Sequence, residues 1–152
     1  MFSKLNNIFS TPKPDLILYV ILFFFIAFFV WASNAENLCA EFRSTIQDLP
    51  LASTATTPNA RADMIDEITV LVGSLVNSLE SLGGGTEDDR FLIESWIYDW
   101  RIYIQDRNNY AEELRTEGDV APLLTSLPSG SGSHLDRQNG FARVNDLDSC
   151  LD

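Results

Sequence analysis

The distribution of apolar positions divides the chain into two regimes. Residues 16–32 read LILYVILFFFIAFFVWA, seventeen residues without a charge. As a helix rising about 1.5 Å per residue, that run is near the short end of a membrane span, and extension through Ser33 to Ala35 makes the span comfortable. Beyond it, apolar positions recur three and four apart. Cys39, Phe42, Ile46 and Leu49 predict that a helix runs from the membrane to about Asp48, where Pro50 ends it. Ile65, Ile68, Val72, Leu75, Leu79 and Leu82 predict an amphipathic helix of about six turns. Thr57-Pro58 is a good start for it, and Gly83-Gly84-Gly85 stops it.

Thr86, with Asp89 three residues later, offers a cap for the next helix, expected over Glu87 to Thr116. In it Ile93, Ile97, Trp100, Ile104, Ala111 and Leu114 form one stripe, interrupted by Arg107. Leu92, Trp96, Tyr103 and Tyr110 form a second, flanking stripe, so the expected buried face is wide and aromatic. Two long helices joined by a short glycine turn predict an antiparallel hairpin, with the membrane-proximal helix as a third member of an all-α bundle. After Gly118 the pattern breaks into APLLTSLPSGSGS, an apolar patch and a Gly/Ser linker. Leu123, Leu124 and Leu127 are expected to lie along the hairpin as an extended strap, a short strand being the other option. A last short helix over residues 134–145 is expected to bury Leu135, Phe141 and Val144, although Gly140 weakens it.

The expected organisation is therefore a cytoplasmic segment at 1–14, a transmembrane anchor at 15–35 and an extracytoplasmic helical domain at 36–152. Lys4 and Lys13 precede the apolar run while Glu36 and Glu41 follow it, which puts the N-terminus in the cytoplasm. Tyr19 and Trp31 lie near the two ends, where amphipathic rings favour the headgroup region. The competing reading is a cleaved signal peptide, since Ser33-Asn34-Ala35 suits a peptidase, but the apolar run exceeds the usual signal core of about 7 to 15 residues. A lipoprotein route is disfavoured because Glu36-Asn37-Leu38 before Cys39 is not a small-residue lipobox. The span holds no ionisable group and no Gly-xxx-Gly pair, so a lipid-exposed anchor outweighs an ion path or a tightly dimerising helix.

Charge narrows the function classes. The formal net charge is -12; only Asp15 among the 22 acids, and only Lys4 and Lys13 among the ten basic residues, precede Ser33, which leaves the exported part at -13. Without a basic patch to neutralise phosphates, a nucleic-acid partner is excluded, and adhesion to anionic headgroups is disfavoured. Cys39 and Cys150 both fall on the exported side, where disulfides persist, and an intramolecular bridge is preferred over an intermolecular one or free thiols. Their spacing is far from that of a Cys-x-x-Cys redox motif.

Residues 99–115, DWRIYIQDRNNYAEELR, carry the most suggestive constellation. Asp99, Asp106 and Glu113 are seven apart and share a face, for which a solvated, ion-paired surface is preferred over a metal site, there being no Glu-x-x-His of di-iron bundles. Arg107 sits on the apolar stripe and needs a carboxylate partner if buried. The sole histidine, His134, beside the Gly/Ser stretch, is expected at the surface rather than acting as a general base. Ser129 to Ser133 lacks the strand of a nucleophile elbow. Glu87, Asp88 and Asp89 would repel a phosphate from the glycine turn. No catalytic residue, cofactor or metal is expected. The candidate interaction or ligand face is Trp96, Trp100, Tyr103, Arg107 and Tyr110.

Asp99-Trp100, Tyr103, Asp106-Arg107, Tyr110-Ala111 and Leu114-Arg115, with the closing Phe141-Ala142-x-Val144-Asn145 and Cys150, resemble a group of actinobacterial exported or membrane-anchored proteins. In that group a helix of the form D-W-x-x-Y-x-x-D-R-x-x-Y-A-x-x-L-R precedes F-A-x-V-N and a cysteine. The similarity covers mainly residues 94–150 and implies an envelope location, with no activity attached. Two functions stand as expectations. The first is a non-enzymatic accessory subunit or scaffold of a membrane complex, docking on a protein partner through an acidic ectodomain. The second is a small-ligand-binding or sensing bundle whose pocket is lined by the aromatic face. Exposure of Trp96, Trp100 and Tyr103 in a cleft separates the second from the first.

Overall fold

The computed structural model describes the backbone of residues 14–152 and the side chains of residues 28–152. Four α-helices make up the described fold: α1 (Pro14–Ile46), α2 (Pro58–Ser81), α3 (Glu87–Thr116) and α4 (His134–Val144). Among the described residues there is no strand, only an isolated bridge between Ser126 and Ser133. The architecture is thus all-α, as the hydrophobic periodicity predicts.

The local signals act where expected. Thr57 accepts from the Ala60 amide and Pro58 opens α2. Thr86 and Asp89 form a reciprocal capping box on α3, each side chain accepting from the other's backbone N–H. Gly85 is needed for this approach. It has φ +75°, and a Cβ there would lie 2.7 Å from Asp89 Cβ.

Three cross-links establish the hairpin's direction. Arg101 pairs with Glu80, Arg107 with Thr69, and Arg115 with Asp63, so one index climbs as the other falls and α2 and α3 are antiparallel. Their apolar stripes meet as the heptad spacing requires: Ile65, Val72, Leu75 and Leu79 on α2 and Ile93, Ile97, Trp100 and Leu114 on α3 are all buried. Helix α1 packs in the same direction as α3, with Trp31 edge-on to Trp96 at one end, while Phe42 shares a small cavity with Trp100 further along.

Trp31 shows that the packed core reaches into the stretch expected as anchor. Trp31 and Ala35 are 2% and 0% exposed and belong to the same core as Cys39, because on one continuous helix positions four apart share a stripe. The core of the helical bundle therefore extends N-terminal of residue 36, and the Trp31 ring is buried against Trp96. The side chains of residues 15–27, where most of the expected anchor falls, lie outside the described residues. Among the described residues no helix is long and apolar enough to cross a membrane.

Helix α4 forms where expected but shows a different face. Its buried residues are His134, Gln138, Asn139 and Ala142, while Leu135 and Phe141 are half-buried and Val144 is 80% exposed. A capping box between Ser133 and Asp136 starts it. The chain then reverses at Asn145 and Asp146, and Cys150 closes a disulfide onto Cys39, joining the tail to α1 across 111 residues. Arg43 reinforces this junction by donating to the carbonyls of Ser149 and Leu151, and Glu36 accepts from the Ser149 amide.

Candidate functional site

The motif of α3 is the place to look for function, and its polar residues turn out to be engaged one by one with other segments of the same chain. Asp99 is 1% exposed. Its carboxylate accepts a bidentate pair from Arg137 Nε and Nη2, at 2.7 and 2.6 Å, and lies 2.7 Å from His134 Nδ1. Three donors on one buried carboxylate satisfy its charge and dock the first turn of α4. The His134 ring also meets Tyr98 edge-on at 5.6 Å. His134 is therefore buried and paired, not a surface histidine. Asp99 and Asp106 likewise depart from the expected solvated face.

Asp106, 6% exposed, accepts from both the amide and the hydroxyl of Thr125. That carboxylate holds the segment between α3 and α4 against the hairpin as an extended strap. Leu123 and Leu124 are 75% and 44% exposed while Leu127 is half-buried, so around Thr125 hydrogen bonding, rather than packing of Leu123 and Leu124, holds the strap. Tyr103 donates its hydroxyl to Asp152 at 2.8 Å and so secures the tail. Burial, with Asp152 adding to it, pushes the Tyr103 phenol up to about 12.

Arg107 has no direct carboxylate partner among the described residues. Its guanidinium donates to Thr69 Oγ1 at 2.9 Å, to the Tyr103 hydroxyl at 3.2 Å and toward the Ile65 carbonyl, and it lies over the Tyr103 ring at 5.6 Å. It is half-buried, so neutral acceptors and partial hydration suffice where a fully buried charge would need an acid. Arg115 donates to Asp63 and Asp66, which keep its guanidinium above its ordinary value. Tyr110 packs on a small second core of Ala62, Ile65, Ala111 and Leu114 at the far end of the hairpin.

The rings of the candidate face are core. Trp96, Trp100 and Tyr103 are 2%, 3% and 7% exposed. Trp96 stacks on Phe141 at 5.1 Å, meets Trp31 and Trp100 edge-on, and donates its indole N–H to the Gln138 carbonyl. Leu92, from the same expected stripe, is instead half exposed. A cavity of about 140 Å³ lies between α1, α2, the tail and two residues of the candidate face, Trp100 and Arg107. That is well under the roughly 300 Å³ at which small-molecule pockets begin. Among the described residues the Trp100 indole N–H has no partner. Trp96, Trp100, Tyr103, Arg107 and Tyr110 thus line no common ligand cleft, and what the arrangement does chemically is join α2, α4, the strap and the tail to one helix.

Four of these ties escape a reading of the sequence. His134 with Asp99, Thr125 with Asp106, Glu36 with Ser149 and Gln138 with the tail carbonyl of Cys150 all join distant segments. Only the Ser133-x-x-Asp136 spacing carries a local signal, that of a capping box, which places the start of α4 but not its partners. Comparison of the chain with protein-family models, with curated proteins and with solved structures finds no match.

Proposed function

We propose that the protein is a non-enzymatic accessory subunit or scaffold of a cell-envelope complex, held by a single N-terminal membrane helix and docking through its acidic helical ectodomain. The observation that carries this reading is the use of the α3 motif: Asp99, Tyr103, Asp106, Arg107 and Arg115 are each committed to another segment of the chain. With the aromatic rings buried, the ligand-binding alternative loses the exposed face on which it rests. Function then falls to the outer surface, which is dominated by carboxylates and suits a partner with basic patches. The Cys39–Cys150 disulfide fits an oxidising, extracytoplasmic location. The continuity of α1 from Pro14 into the bundle fits a rigid connection between anchor and domain.

The test is affinity purification of the tagged chain from native membranes in mild detergent, with co-purifying proteins identified and the intact mass of the bait recorded. A partner at fixed stoichiometry, retained when basic residues on it are intact and lost at high salt, is the expected result. Recovery of the full-length bait alone, repeatedly, overturns the accessory-subunit reading.

A further inference from the structure

One end of the bundle is apolar on its outside. Phe29 and Val30 on α1, Phe91 and Leu92 on α3, and Val144 on α4 are 75%, 53%, 72%, 52% and 80% exposed. Each lies within about one and a half helical turns of the aromatic cluster of Trp31, Trp96 and Phe141. The helix directions put them on the same side of that cluster. Helices α1 and α3 run away from it towards their C-termini. Helix α4 runs the opposite way, its His134 beside Asp99 and its Phe141 on Trp96. The N-terminal flank of Trp31, the N-terminal flank of Trp96 and the C-terminal flank of Phe141 therefore face one way, the way in which α1 leaves the bundle towards its uncharged run.

The length of that run gives the apolar end a use. Because Trp31 is committed to the core, the uncharged stretch left to span a bilayer is 16–30, fifteen residues. As a helix it covers about 22 Å, against roughly 30 Å of hydrocarbon. A span this short draws its flanks into the interface and thins the bilayer locally. Exposed Phe, Leu and Val ringing the base of the domain are the side chains that gain from such a position. The five residues come from three helices and lie on the side of the cluster from which α1 departs, as a planar surface pierced by α1 would require; a helix or strand docked from a partner would call for one groove. Exposed Arg90 and Arg143, next in sequence to Phe91 and Val144, can reach headgroup phosphates, whereas Glu87 and Asp88 in the first turn of α3 disfavour a strongly anionic surface.

We infer that this end of the bundle is seated at the headgroup–acyl boundary of the membrane that α1 enters, with zwitterionic phospholipid as its partner. The inference rests on the membrane-anchor reading above. Its test uses the full chain reconstituted into phosphatidylcholine vesicles, with and without lipids brominated near the top of the acyl chain. Three variants, Phe91→Trp, Val144→Trp and Leu123→Trp, each add one indole to the three native tryptophans, whose signal in the parent chain is the baseline. Leu123, 75% exposed on the strap, is the control away from this end. The expected result is that bromination lowers the added emission at positions 91 and 144 about twofold or more and leaves position 123 nearly unchanged, since quenching requires contact with the acyl region. Quenching at 91 and 144 no stronger than at 123, in chains that resist alkaline carbonate extraction, overturns the seating and leaves the anchor standing. Extraction of the chain by carbonate sinks the anchor reading, and the seating falls with it.

Discussion

Asp99 carries a charge at 1% exposure, and the three donors that meet it come from two residues of α4. Replacing it leaves His134 buried without its acceptor, while Arg137, whose side chain is 45% exposed, can return to water. Asp99→Ala should therefore destabilise the domain by about 3 kcal/mol, the magnitude expected when one member of a buried charged cluster is removed. Urea unfolding followed by tryptophan emission measures it, and a loss under about 0.5 kcal/mol would show that α4 is docked by other contacts. Tyr103 gives a prediction in pH. Its phenol is pushed from 10.0 up to about 12 in the folded protein, so the fold favours the neutral form. The stability this contributes is complete below pH 10 and is lost as pH rises from 10 to 12. The loss amounts to about 3 kcal/mol, at 1.36 kcal/mol per unit. Tyr103→Phe should flatten that alkaline limb of the unfolding free energy; an unchanged limb would place the titrating group elsewhere.

At the scale of elements, what could be read from the sequence was what periodicity and local chemistry encode. The hairpin, its caps at Thr57 and Thr86, and the buried stripes of α2 and α3 follow from spacing alone, because an apolar side chain every third or fourth residue has one place to go. The face of α4 does not follow. His134, expected at the surface, becomes core together with Gln138 and Asn139 because Asp99 and the tail supply their partners. Asp106 and Glu113 share a stripe with Asp99 in sequence, yet α4 covers one, the strap covers another, and Glu113 is only half-buried. The strap and tail are correspondingly held by few bonds. Asp106→Ala removes both acceptors of Thr125 and should raise the rate of proteolytic cleavage within residues 119–132 by about tenfold, while far-UV dichroism of the helices stays the same. The disulfide acts on a larger loop. With a sequence separation of 111 between its cysteines, replacing both by serine should cost about 5 kcal/mol in the chain-entropy account, read from urea unfolding, while cleavage unaffected by Asp106→Ala would show that other contacts hold the strap.

For the molecule as a whole, the decisive residue is Trp31, because it lies at the junction between the apolar run and the bundle. Nothing in LILYVILFFFIAFFVWA distinguishes a ring facing lipid from one facing Trp96, since hydropathy is uniform through the run and the helix has no break there. Packing makes the distinction: Trp31 is 2% exposed, meets Trp96 at 5.9 Å and Phe141 at 6.4 Å, and lies beside Gly84. A helical domain cut at residue 36, the boundary suggested by charge and hydropathy, discards this ring along with Ala35 and exposes Trp96 and Phe141. One cut at residue 28 keeps the cluster whole. The expected outcome is that a 28–152 fragment unfolds in a single cooperative step, whereas a 36–152 fragment, with the same disulfide intact, is less stable by about 4 kcal/mol or more, as for removal of a buried tryptophan. The longer fragment still bares Phe29, Val30, Phe91 and Val144, so its unfolding is best followed at low concentration, where self-association through that end cannot raise its apparent stability. Equal stability of the two fragments would mean that Trp31 is dispensable to the bundle and that the domain begins at Glu36 after all.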